Sequence, residues 1–239
     1  MKTSQHLGLA ILGAALMASA FAVTPAFAVD LVVAEARGIG FKPGATLDAA
    51  KPLVLKEGQH VTLIAPNGAT LKLDGPYNQA PAADPQQGTS LQTKLAALVT
   101  QRQARLGEVG TTRGIAPVKL PDPWVLDATH AGNVCLMDGH KPVFWRGDAS
   151  HEATLTVMPS DRSWKAKTRW PAGHERLPVS ATDVPLHGNA TYFVAVDKNE
   201  TAMTVKAVPA VLSNNSMRAS WMAEKGCEAQ AEALLRTRQ

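Results

Sequence analysis

Residues 53–77 read LVLKEGQHVTLIAPNGATLKLDGPY, and the fold follows from how this stretch is read. Val61, Leu63 and Ala65 fall on one side of an extended chain and His60, Thr62 and Ile64 on the other, because successive strand side chains point to opposite faces. Pro66 presets the first dihedral of a turn, Asn67 tolerates its second position, and Gly68 can take the positive φ that closes a three-residue hairpin loop with a bulge. Leu71 and Leu73 then alternate with Thr70 and Lys72. Upstream, Lys56-Glu57-Gly58-Gln59 is a second turn, so residues 52–55 are expected to form a short strand pairing with the first strand of the hairpin. The prediction is a small β meander.

Working outward toward the N-terminus, residues 30–36 begin as an apolar run and then alternate, which predicts another strand. Gly38-Ile39-Gly40 lacks the third glycine and the helix that a dinucleotide-binding turn requires, so it reads as a plain corner. Residues 1–28 differ in kind. Lys2 and His6 precede an apolar run over residues 7–23, and Ala26 and Ala28 stand at small-residue positions, the pattern of a secretory signal peptide cleaved after Ala28. No cysteine follows the run, so a lipid anchor is not expected. The mature chain shows no further apolar stretch long enough to span a bilayer.

Toward the C-terminus, residues 78–88 are rich in Pro, Ala and Gln without periodicity and read as a linker. Leu91, Leu95, Leu98, Val99 and Leu106 then share one helical face, with Ser90 as cap. From residue 119 short strands recur between turns, at 133–137, 142–146, 152–157, 164–170, 191–196 and 201–208. This rhythm favours a sandwich, with Trp145 as the expected core aromatic. Residues 217–236 are helical by composition, interrupted by Gly226. The expected organisation is a signal peptide (1–28), a small β domain (29–78), a linker with an amphipathic helix (79–118), an Ig/fibronectin-III-like sandwich (119–212) and a C-terminal helix packed on it (213–239). The fold class is mainly β.

Composition narrows the function further. The chain has 239 residues, 45% of them hydrophobic and 18% charged, which is ordinary globular usage. Removing residues 1–28 takes away Lys2 and no acid, so a formal charge of +4 becomes about +3. The basic residues are dispersed among acids rather than clustered, which argues against nucleic acid as a partner. Cys135 and Cys227 are the two cysteines. Export to an oxidising compartment makes their pairing the default, and closing so long a loop is nominally worth about 4 to 5 kcal/mol. The bridge is expected to hold the C-terminal helix to the Cys135 strand.

Two resemblances are carried by particular residues. The strand at Val32, the Leu53-Val54-Leu55-Lys56-Glu57-Gly58-Gln59 run, Val61-Thr62-Leu63 and the run from Gly68 to Pro76 resemble the periplasmic β domain of FecR-type bacterial regulators, over about residues 31–77. The resemblance implies an envelope location and a protein partner sensed there. It departs from that family in having only six residues before the apolar run, where a cytoplasmic anti-sigma segment would stand. Pro142-Val143-Phe144-Trp145-Arg146, the 152–157 strand and Gly188-Asn189-Ala190-Thr191-Tyr192 are similar in rhythm to fibronectin-III-like modules. The whole chain also resembles uncharacterised exported alphaproteobacterial proteins.

Chemistry is sparse by comparison. Asp127, His130, Asp138, His140, Asp148 and His151 are close in sequence, and imidazoles with carboxylates can hold zinc or copper. Metal-site candidates are therefore His130, His140, His151, Asp138 and Asp148. His151-Glu152 and His174-Glu175 lack the second histidine of a zincin helix, and no nucleophile elbow, phosphate loop or paired-thiol motif occurs. The expectation is a periplasmic or secreted, non-enzymatic binding or scaffold protein without a cofactor, engaging an envelope protein or a cell-wall polymer. An envelope sensor and a metal-binding protein are the alternatives.

Overall fold

The structure, a computed structural model, describes residues 30–81 and 118–237. The expected signal peptide, most of the linker and its amphipathic helix lie outside the described residues. In the N-terminal unit β1 (Asp30–Arg37), β2 (Thr46–Asp48), β4 (His60–Ile64) and β5 (Thr70–Asp74) form an antiparallel sheet in the order β2-β1-β4-β5. The expected hairpin is present, with Ile64 opposite Thr70 and His60 opposite Asp74. Its corner closes as the residue types require: Gly68 sits at φ +84, its N–H donates to Ala65 O at 2.8 Å, and Ala69 N–H donates to Asn67 Oδ1 at 2.9 Å.

One expected pairing is corrected. β3 (Leu53–Leu55) pairs with β6 (Tyr77–Gln79) in a separate two-stranded sheet, not with β4. The longer β1 occupies the free side of β4, and Leu53 and Leu55 are worth more as core residues beneath Val33, Val61, Leu63 and Leu73 than in the plane of the sheet. Gly75 permits the crossover, since a side chain there would overlap the Lys56 carbonyl. The N-terminal unit thus extends to Gln79, two residues past Tyr77.

The second region has the expected layered β architecture. β11 (Ala166–Trp170), β10 (Ala153–Pro159), β13 (Thr191–Val196), β14 (Asn199–Val208) and β8 (Gly132–Met137) form a five-stranded sheet in that order. Facing it are β12 (Arg176–Pro178), β9 (Val143–Trp145) and β7 (Val125–Asp127). Two pairings are parallel, β14 with β8 and β7 with β9. Leu126 and Phe144 from the small sheet meet Leu155, Trp170, Tyr192, Val194 and Met203 from the large one. Trp145 is not the core aromatic. Alternation along β9 sends Phe144 inward and turns Val143 and Trp145 to the far face, where Leu120, Val125 and Ala233 cover them.

The C-terminal segment forms two helices, α1 (Asn215–Glu224) and α2 (Glu228–Arg236), joined by an elbow at residues 225–227. Asn214 caps α1 by accepting the Met217 N–H at 3.0 Å. Gly226, at φ +75, breaks the helix where sequence composition places the interruption. Among the described residues no helix is long and apolar enough to cross a membrane. The helices pack on the sandwich and also against the outer face of the N-terminal sheet. One continuous core joins Val32, Ala34 and Ile64 of that sheet, Cys135 and Val208 of the sandwich, and Trp221, Met222 and Leu234 of the helices.

The elbow is where the regions are tied. Cys227 bonds Cys135 of β8 across 92 residues, with Cα atoms 5.8 Å apart. Lys225 Nζ donates to Ala34 O of β1 at 2.6 Å, while Lys225 O accepts from Asn133 Nδ2 of β8 at 2.8 Å. Gln230, buried one turn later, accepts from Cys135 N at 2.6 Å and donates to Cys135 O at 2.8 Å, so its amide serves as one rung of an added strand at the β8 edge.

Candidate functional site

A cleft of about 150 Å³ with a mixed apolar and polar lining opens on the sandwich. Its floor comes from β8 and β14, through Leu136, Met137, Val205 and Ala207. One wall is the turn from β8 to β9, where Gly139 at φ +77 lets His140 N–H donate to Met137 O at 3.1 Å. The other wall is the segment at 180–188. Val184 is buried in the sandwich core and its N–H donates to Ser180 O at 3.0 Å, fixing the segment's first turn. Tyr192 holds the far end: its buried phenol accepts from His187 N at 2.7 Å and donates to Pro185 O at 3.3 Å. Gly188 completes the fit, since a Cβ there would come within 2.7 Å of the Ala207 side chain.

Strand direction decides where the predicted polar residues go. Asp138 and His140 come together at the cleft, and the His140 ring sits edge-on to Trp124 with centroids 6.3 Å apart. β7 and β9 run parallel, with Asp127 opposite Trp145, so His130, Asp148 and His151 lie beyond the other end of those strands. His130 Nδ1 is 2.8 Å from Asp127 Oδ2, and the same carboxylate accepts the backbone and hydroxyl hydrogens of Thr129 at 2.8 and 2.7 Å. This is a turn motif built on a carboxylate. His151 Nε2 is 3.9 Å from Asp197 Oδ2. Hydrogen bonds from Ser150 hold the Asp148 carboxyl below the usual carboxylate range, with His151 and Arg146 adding weaker attraction. Among the described residues no three His, Cys, Asp or Glu side chains are placed to share a metal ion.

Arg146 explains the separation. It is buried, lies 4.9 Å over the Trp170 ring, and donates through Nη2 to His151 O at 2.8 Å and Pro171 O at 3.0 Å. It therefore pins the loop carrying Asp148 and His151 to the β11–β12 connection, away from His140. Sequence reasoning passed over Arg146 and the wall at 180–188. Pro185-Leu186-His187-Gly188 is recognisable as a turn, but that it forms a wall depends on Tyr192 and on the closeness of β14.

The cleft's chemistry is that of an anchor pocket. Its floor is aliphatic, and Asp138 and His140 supply a polar rim. Its volume is well below the roughly 300 to 1,000 Å³ of a site that encloses a whole small molecule. About 150 Å³ suffices for one benzene-sized group. No protein-family model and no curated protein matches this chain.

Proposed function

We propose that the protein is an exported, non-enzymatic binding component of the bacterial cell envelope, with a FecR-like N-terminal unit and a fibronectin-III-like sandwich. It engages another envelope protein by seating one apolar side chain of that partner in the cleft between Asp138–Pro142 and Ala181–Gly188. The carrying observation is the cleft itself: an aliphatic floor, a polar rim and room for a single side chain. Interface energy concentrates in such pockets, where one anchor residue is desolvated and its surroundings exclude water. The buried Cys135–Cys227 bridge supports the location, because buried disulfides belong to oxidising compartments.

Ala181 is exposed on the cleft wall, so Ala181→Trp fills the opening from outside without disturbing the core. The mature protein immobilised against envelope extract is expected to retain a discrete protein that the Ala181→Trp variant does not. Equal retention by both proteins, or none by either, would overturn the assignment.

A further inference from the structure

The outer face of the five-stranded sheet is half covered. Over β14 and β8 the helices bury Val208 and Cys135 under Trp221. Over β11, β10 and β13 nothing among the described residues covers it. Ala153, Leu155 and Val157 of β10 point into the core, which turns Thr156 and Met158 outward, and Tyr192 and Val194 of β13 likewise leave Phe193 and Ala195 outside. Register sets these in two rows. Lys167, Thr156 and Ala195 stand abreast in one, and Met158 faces Phe193 in the next, with Lys165 one step beyond the β11 ladder on the same side. The surface carries half-buried Phe193, Met158 and small side chains, with exposed lysines at the β11 margin and exposed Glu200, opposite Ala195, on the β14 side.

The margin is the informative part. Lys165 and Lys167 are exposed and have no ion-pair partner among the described residues, whereas Arg169 in the same line is tied to Glu152. Alternate residues of a strand lie about 6.7 Å apart, so the two ammonium groups repeat along one edge of the apolar rows. A charge row beside a sheet face that presents Phe193 and Met158 matches a linear polymer that carries anions on one edge and apolar faces on its rings.

We infer that the β11-β10-β13 face binds an anionic polysaccharide, with Lys165 and Lys167 meeting its carboxylates or phosphates and Phe193 and Met158 receiving the face of a sugar ring. This site is separate from the cleft and stands or falls separately from it.

Alginate, a polyuronate, is the probe, with dextran as rings without charge and polyphosphate as charge without rings. The mature protein is expected to bind alginate and not dextran, with affinity falling as salt is raised, and Lys165→Glu/Lys167→Glu is expected to weaken binding at least about tenfold. Phe193→Leu, which keeps an apolar side chain of similar reach, is expected to weaken alginate severalfold and to leave any polyphosphate binding unchanged. Both variants should retain the envelope protein captured through the cleft. No alginate binding, or alginate binding indifferent to the lysine reversal, defeats the inference. So does polyphosphate binding as tight as alginate binding with no effect of Phe193→Leu, because the lysines would then be acting as bare charge. If the lysines serve only to keep the β11 edge from pairing with other chains, the reversal will leave alginate untouched, which is the second of those outcomes.

Discussion

In the sandwich, Phe144 and Leu126 of one sheet meet Leu155, Trp170 and Met203 of the other, so the two sheets supply each other's cover. In the N-terminal unit, Val33, Val61, Leu63 and Leu73 are covered by the unit's own Leu53 and Leu55, but Val32, Ala34 and Ile64 on the opposite face depend on α1 and α2. A four-stranded sheet with both faces apolar cannot be stable alone, because one face must find cover elsewhere in the chain. The sandwich needs the helices only over part of its outer face and can leave β11, β10 and β13 open there, where the second proposed surface lies, while the cleft opens onto Leu136 and Val205 of the core between its sheets.

The sharpest way to break this contrast is Trp221→Ala. The indole is buried in the shared core and donates to Ala207 O at 3.1 Å, and removing it is expected to cost about 3 to 5 kcal/mol. Hydrogen exchange should show protection falling first in β1 and β4 while β10 and β13 stay protected. A uniform loss across both regions would mean that they unfold as one unit. Next in size is Cys135→Ala/Cys227→Ala, expected to lower stability by about 2 to 5 kcal/mol in denaturant unfolding. Exchange should again rise more in β1 and β4 than in β10, since the bridge holds the elbow to β8. The smallest effect concerns pH. Burial lowers the Lys225 ammonium pKa from its ordinary 10.5, with Glu35 opposing the shift and Lys206 adding to it. Between the lowered folded value and 10.5 the unfolded chain binds more protons, so stability rises with pH across that window and is flat below it. Urea midpoints followed toward pH 10.5 should climb for the native protein. They should climb less for Lys225→Met.

Much of the fold was legible because its signals are local. Pro66-Asn67-Gly68 specifies its own turn, Gly226 its own break, and a chain with two cysteines leaves each only the other to pair with. What misled was apolar character on both faces of a strand. In Val143-Phe144-Trp145 every residue is apolar, since α2 and residue 120 cover the far side, so alternation cannot say which side chain faces the other sheet. Leu53-Val54-Leu55 was legible as a strand but not in its partner, because pairing depends on β1 having already taken β4. The polar residues between 127 and 151 are neighbours in sequence but are carried to opposite ends of β7 and β9. The cleft was not legible, since its wall is set by the Tyr192 phenol and the approach of Gly188 to Ala207.

The tip of the hairpin has a temporal consequence. Asn214 Nδ2 donates to Pro66 O and Ser220 Oγ to Gly68 O, contacts separated by 148 and 152 residues. Contacts between residues so distant in sequence are the slow ones to close. The hairpin tip is therefore completed only when α1 docks on it. Without α1 the Val32, Ala34 and Ile64 surface would lose its cover, so docking of that helix decides whether this sheet is finished or left sticky.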